Sequence, residues 1–289
     1  MYLIRIFIIA MLSITVAHAE IRSTVDLNTV KQEVLASDKD TLVIFDVDMV
    51  LIMPTDEIFI KYVDHESGPF LEGVYKELNA RHSPEQVDKY KSIISLSGHV
   101  QTVTPETPHV LNEIDRAGYK IIGLTLCETG SFGKISSLEK WRVDELKSLG
   151  IKFHHSFPNV TAGQLDKYIP NIQNYTSKYE CSPCVVAGIL FTCHVPKGEV
   201  LDAYLQQIDV KPRKIVFVDD KLKNLETVAK YCDQNNIAFV GFEYNAVKEQ
   251  AKKFPMDLRL ARLQFNVLEH AEVWLSDEQA RNILHNLDK

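Results

Sequence analysis

The chain has 289 residues, 45% of them hydrophobic, with only 12 Gly and 11 Pro, a profile that excludes collagenous, low-complexity and disordered proteins. Its 32 Lys and Arg against 39 Asp and Glu give a net charge of −7. That balance argues against nucleic acid as a partner, because affinity for a polyanion comes mainly from basic side chains displacing phosphate counterions.

Arg5 is the only charge in residues 1–19, and it precedes the apolar stretch Ile6–Leu12, which runs on to Ala17. About a dozen residues fall short of the roughly 20 that a helix needs to cross a bilayer. Ala17-His18-Ala19 puts small residues where a signal peptidase reads, so residues 1–19 are expected to be a signal peptide cleaved before Glu20. The mature protein is then exported, to the periplasm or beyond, with no stable membrane anchor; a retained N-terminal anchor is the alternative.

Further along, short apolar runs occur at Leu42–Phe45, Ile121–Leu124, Val185–Phe191, Ile215–Val218 and Ile237–Val240. They do not alternate with polar residues, which is the pattern of strands buried on both faces of a parallel sheet. Helical stripes lie between them: Val110, Leu111, Ile114 and Ala117 before Gly118; Leu138, Trp141, Leu146 and Leu149 before Gly150; Leu222, Leu225, Ala229 and Cys232. The alternation predicts a three-layer, Rossmann-like α/β sandwich with a mostly parallel sheet. Residues 53–103 break the rhythm. They hold no strand-like run, but Phe70–Leu78 and the stretch opened by Ser83-Pro84 read as helices. The expected organisation is an α/β core from 20–52 and 104–289, with a helical cap insertion at 53–103. Residues 154–180 are polar and read as a long loop with a hairpin.

Five cysteines occur, and an oxidising compartment favours disulfides over zinc. Cys181 and Cys184 are close enough in sequence to bond each other, while zinc would recruit Cys193 and His194. Cys232, at helical apolar spacing, reads as a buried thiol.

Two of the apolar runs end in carboxylates. Leu42–Phe45 runs into Asp46-Val47-Asp48, and Ile215–Val218 runs into Asp219-Asp220. In an open parallel sheet the strands' carboxyl ends share the edge where ligands bind. Like charges about 4 Å apart repel by about 4 kcal/mol at an effective dielectric of 20, so converging carboxylates call for a cation, and Mg²⁺ with oxygen ligands suits them. A lone Asp after a strand is often only the N-cap of the next helix, which Asp219 could be; two pairs on separate strands weaken that reading. Thr125, ending a third run, offers a hydroxyl, and Lys197, after a fourth, offers the positive charge that a transferring phosphoryl group needs.

The succession Phe45-Asp46-Val47-Asp48-Met49-Val50, Leu124-Thr125, Lys197-Gly198 and Val218-Asp219-Asp220 with Asn224 resembles, in order, the four motifs of the haloacid dehalogenase (HAD) superfamily of phosphohydrolases. It looks closest to a branch of secreted HAD-like bacterial proteins catalogued as a domain of unknown function. The resemblance implies a Mg²⁺-dependent phosphatase acting on phosphate monoesters of a small molecule or a phosphoprotein. It makes Asp46 the nucleophile that forms an aspartyl-phosphate and Asp48 the general acid and base. Asp46, the backbone carbonyl of Asp48, Asp219 and Asp220 would hold the metal, with Asn224 behind them. Thr125 and Lys197 would bind the transferring group, Lys134 and Lys214 being the other candidates for that lysine. Dehalogenases of the superfamily lack the second aspartate, so Asp48 points to phosphate esters. The insertion falls where the family carries a cap, with Lys61, His65, Tyr75, His82 and Tyr90 as possible contacts. No cysteine is followed six positions later by Arg, as cysteine-based phosphatases require, and no Walker A or Gly-x-Ser-x-Gly sequence occurs. The rival reading is an exported HAD-like binding or effector module with little or no catalysis.

Overall fold

The computed structural model describes residues 19–60, 67–153, 155–160, 162–175, 181–253, 256–287 and 289. The expected signal peptide, except for Ala19, and the possible cap contacts Lys61 and His65 lie outside them. Among the described residues no helix is long and apolar enough to cross a membrane.

The strands are β1 (Glu20–Thr24), β2 (Thr41–Phe45), β3 (Ile52–Pro54), β4 (Val100–Thr102), β5 (Lys120–Thr125), β6 (Ala162–Gln164), β7 (Cys184–Val186), β8 (Ile189–Phe191), β9 (Lys214–Asp219) and β10 (Ala238–Tyr244). Eight form one sheet in the order β1-β10-β9-β2-β5-β8-β7-β6. The ladders from β1 to β8 are parallel, and β8, β7 and β6 finish the sheet antiparallel. Successive side chains of a strand point to opposite faces, and here both faces are covered. Val43, Phe45, Val216 and Val218 pack under α1 (Leu27–Leu35), α5 (Thr107–Arg116) and α6 (Leu138–Ser148). Leu42, Ile44, Ile215 and Phe217 pack under α7 (Lys197–Ile208) and α8 (Leu222–Asn235). This double burial is why β2 and β9 read as unbroken apolar runs. The fold is the three-layer α/β sandwich that the sequence predicts.

Two elements of the main sheet depart from expectation, and a short antiparallel pair, β3–β4, brackets the stretch expected to hold no strand. The run Val185–Phe191 is a hairpin rather than one strand: β7 and β8 pair antiparallel around Ala187-Gly188, both at positive φ (52° and 79°). That is the conformation of a tight primed turn, and Gly188 fits it because an added Cβ would lie 2.6 Å from the Phe153 carbonyl oxygen. β1 is the second; with two charged residues among its five, it pairs at the sheet edge without showing an apolar run.

The stretch between β2 and α5 contains the antiparallel pair β3–β4 and the helices α2 (Glu57–Ile60), α3 (Gly68–Arg81) and α4 (Pro84–Ser97). Its apolar side packs against the C-terminal part of the chain. Leu71, Leu78, Val87, Tyr90 and Ile93 share a core with Ala261, Phe265 and Leu268 of α10 (Leu258–Ala271) and with Trp274. α9 (Ala246–Ala251) precedes α10, and α11 (Asp277–Leu287) follows it. Buried Asp56 joins the two parts by accepting from the Trp274 indole (2.8 Å) and the Asp277 backbone N–H (3.1 Å).

Candidate active site

β2 and β9 are neighbours in parallel register, Phe45 opposite Val218, and the Asp46 N–H donates to the Val218 carbonyl at 2.9 Å. Asp46 and Asp219 therefore leave the same edge of the sheet side by side. Carboxylate oxygens of Asp46, Asp219 and Asp220 all lie within 4.8 Å of one another, and all three residues are buried. This is the one such His/Cys/Asp/Glu cluster among the described residues.

Lys197 opens α7 and is buried with its ammonium 2.7 Å from Asp46 Oδ1 and 2.6 Å from Asp219 Oδ2. Gly198 lets it reach that position: a Cβ there would meet the Thr227 carbonyl oxygen of α8 at 2.3 Å, so a larger residue would force the two helices apart. Asp219 is held from further directions, accepting from the Lys221 N–H (2.9 Å) and the Asn224 amide (2.9 and 3.2 Å). α8 has Lys221 as its N-cap, so Asp219 is not a helix cap. Neither Lys134 nor Lys214 takes the place of Lys197. Lys214 sits at the start of β9 and pairs with Glu33 (2.6 Å), whereas Lys134 follows a turn, its N–H bonded to Ser92.

The electrostatics of the cluster are unbalanced, three carboxylates facing one ammonium. Burial pushes the Asp46 carboxyl well above its ordinary range, Lys197 pulls it back, and Asp219 and Asp220 push it up again. Burial and then Asp219 lift Asp220 to about 6. Burial opposes the Lys197 charge, but Asp46 and Asp219 outweigh it and raise its pKa. Hard oxygen donors carrying excess negative charge in a buried site fit a divalent cation such as Mg²⁺.

Asp48 is placed differently. The turn after β2 folds back through Met49, at φ 64°, with the Leu51 N–H donating to the Val47 carbonyl (2.9 Å). The Asp48 carboxylate lies outside the acidic cluster, half exposed, and pairs with Arg142 of α6 at 3.0 Å. Arg142 also pairs with Glu145 at 2.5 Å. Thr125 is buried at the end of β5, two residues past Gly123, the partner of Phe45, and its hydroxyl accepts from the Cys127 N–H (3.2 Å). A cleft of about 230 Å³ opens beside Asp48, walled by the insertion on one side and by Trp141, Arg142 and Glu145 of α6 on the other.

Some expected residues lie elsewhere. Tyr75 packs edge-on to Phe265, the Tyr90 hydroxyl donates to the Glu269 carbonyl, and His82 contacts the Glu269 carboxylate, so all three face α10. The disulfide joins Cys181 to Cys193, not to Cys184, which is buried and free. Hairpin register explains the pairing: Cys184 stands opposite Phe191, which brings the flanking Cys181 and Cys193 together. Arg142 is not legible in the sequence, since an Arg following Trp on an amphipathic helix is too common a pattern to single out.

A family described as "Protein of unknown function (DUF2608)" matches residues 23–281. The chain belongs to the DUF2608 family. Relatives include an uncharacterized protein of Rickettsia prowazekii, 25% identical over 91% of this chain and 89% of its own length. A Chlamydia trachomatis protein provisionally named an outer membrane protein is 28% identical over 45% of this chain and 50% of its own length. Among solved structures, a haloacid dehalogenase-like hydrolase family protein of Streptococcus pneumoniae is 16% identical, covering 74% of this DUF2608 chain and 98% of its own, at a TM-score of 0.34.

Proposed function

We propose that this protein is an exported phosphatase that hydrolyses phosphate monoesters with the help of Mg²⁺. The observation that carries the reading is the buried cluster of Asp46, Asp219 and Asp220 around the ammonium of Lys197 at one edge of the sheet.

Phosphoryl transfer depends mostly on positioning and charge neutralisation. Asp46, Asp219 and Asp220, with the Asp48 carbonyl, would hold the ion, which when bound offsets charge on the phosphate oxygens. Asp46 attacks phosphorus through a carboxylate oxygen, the ester P–O bond breaks, and the phosphoryl group passes to Asp46 as an acyl phosphate. Asp48, lining the cleft, would have to part from Arg142 and take up a proton from solvent, which it then passes to the departing alcohol oxygen before removing one from the water that attacks the aspartyl-phosphate. Hydrolysis returns the Asp46 carboxylate and releases phosphate. Lys197 holds Asp46 in line and supplies positive charge to the phosphoryl oxygens. Asp219, fixed by Lys197, Lys221 and Asn224, keeps that lysine oriented. Thr125 and the Leu126 N–H take a remaining phosphate oxygen. The insertion caps the site and screens it from water.

Export fits the N-terminal apolar segment, the Cys181–Cys193 disulfide and the outer-membrane names of chlamydial relatives. The test is hydrolysis of a chromogenic aryl phosphate by the mature chain, with Mg²⁺ and with EDTA, beside Asp46→Asn. Turnover that needs Mg²⁺ and disappears in the variant is expected. Absence of turnover across a broad ester panel would leave the alternative of a non-catalytic exported module.

A further inference from the structure

The cleft next to Asp48 carries information about the substrate, and its meaning in catalysis rests on the phosphatase reading. Six half-buried apolar side chains wall it: Met49, Pro54, Phe59, Ile94, Val100 and Trp141. They come from six different segments, so the apolar lining is assembled by the tertiary fold rather than by one helix face. The charged lining is mostly acidic, with Asp48, Asp56 and Glu145 set against Arg142 and, at the exposed rim, His99. Arg142 is already engaged: its guanidinium pairs with Asp48 and with Glu145 and lies 4.7 Å from the Trp141 ring centroid. A second phosphate or a carboxylate on the substrate would meet two or three carboxylates in a partly desolvated space, with no unengaged buried cation among the described lining residues to receive it. At about 230 Å³ the cleft is also smaller than the pockets that usually take drug-sized ligands.

We propose that this cleft takes a small, uncharged apolar ring, and that the ring is the leaving group of the phosphate ester. Trp141 and Phe59 both line it and contribute aromatic surface. Asp48, in the same wall and two residues after Asp46, links the cleft to the acidic edge by sequence. The acidic lining disfavours nucleotides, bisphosphates and carboxylated phosphoesters, and the small volume disfavours large leaving groups.

Two measurements on the mature chain test this. In the first, kcat/KM with Mg²⁺ is compared for phenyl phosphate and 4-carboxyphenyl phosphate, which differ by one anionic group on the same ring. Phenyl phosphate should be favoured at least tenfold, and Ile94→Lys, which places a cation on the cleft wall, should narrow the ratio several-fold. In the second, the indole N–H resonance of Trp141, assigned by its loss in Trp141→Phe, is followed while p-cresol or 4-hydroxybenzoate is added. p-Cresol should move it and 4-hydroxybenzoate should not. Equal turnover of the two esters, an unchanged ratio in Ile94→Lys, or equal response to both phenols would overturn the inference. If neither ester is hydrolysed while Trp141 still discriminates the two phenols, the phosphatase reading fails and the ligand class of the cleft stands.

Discussion

Magnesium should stabilise this protein more at pH 8 than at pH 5, and Asp220 should be the reason. Burial and the neighbouring Asp219 lift its carboxyl from 3.8 to about 6. Across that window the folded chain keeps a proton that the unfolded chain has released, so the metal-free fold is most stable below it and loses stability as pH rises through it. At about 1.4 kcal/mol per pH unit, the loss from this group is about 3 kcal/mol. A cation reverses the penalty but must compete with the proton. At pH 5 a group titrating near 6 is about nine-tenths protonated, which weakens apparent affinity about tenfold relative to pH 8. With Mg²⁺ at about 100 times its pH 8 dissociation constant, the expected stabilisation is about 2.7 kcal/mol at pH 8 and about half that at pH 5. For a chain of this size that is a rise in Tm of about 5–10 °C at pH 8 and about half as much at pH 5. Scanning calorimetry in Mg²⁺ and in EDTA at both pH values measures it. Asp220→Asn should abolish most of the increment and raise the Tm of the EDTA sample at pH 8. Equal shifts at the two pH values, or a full shift in the variant, would refute the reasoning.

Three further outcomes are expected. Lys197→Met leaves Asp46 and Asp219 buried without their counter-ion and should cost about 3–5 kcal/mol in urea denaturation. Gly198→Ala drives a methyl group into the Thr227 carbonyl and should cost about 1–3 kcal/mol, read the same way, since the α7–α8 contact has to give. Peptide mapping without reductant should recover Cys181 bonded to Cys193 and should find Cys184 alkylated only after unfolding; Cys193→Ser should lower stability by about 3 kcal/mol, the usual scale for a loop of this length.

The strands that build the acidic edge are readable because burial on both faces leaves a continuous apolar run, as in Leu42–Phe45 and Ile215–Val218. Their neighbours in the sheet follow from parallel packing, which is why Asp46, Asp219 and Lys197 could be expected to converge. The features that escape sequence reasoning depend on contacts rather than on pattern. The turn at Ala187-Gly188 interrupts no apolar run, so nothing in the composition separates one strand from two. β1 exposes Glu20 and Arg22 at a sheet edge, where period and hydrophobicity both fade. Tyr75, His82 and Tyr90 look available to a substrate because the sequence gives no hint that α10, some 170 residues later, covers their side of the insertion. Arg142 gains its meaning only because a turn at Met49 brings Asp48 against α6.

The packing of α10 and Trp274 on α3 and α4 has a mechanical consequence. An insertion joined to the chain only at the adjacent strands β3 and β4 would pivot freely on that stalk; this one is also bolted down by the C-terminal segment, through Phe265, Leu268 and the Trp274–Asp56 bond. Any swing of the insertion has to drag α10 and Trp274 with it or first peel them away. Trimming the chain at Asp257 would therefore bare the apolar side of α3 and α4 and loosen the insertion, even though the acidic edge lies elsewhere.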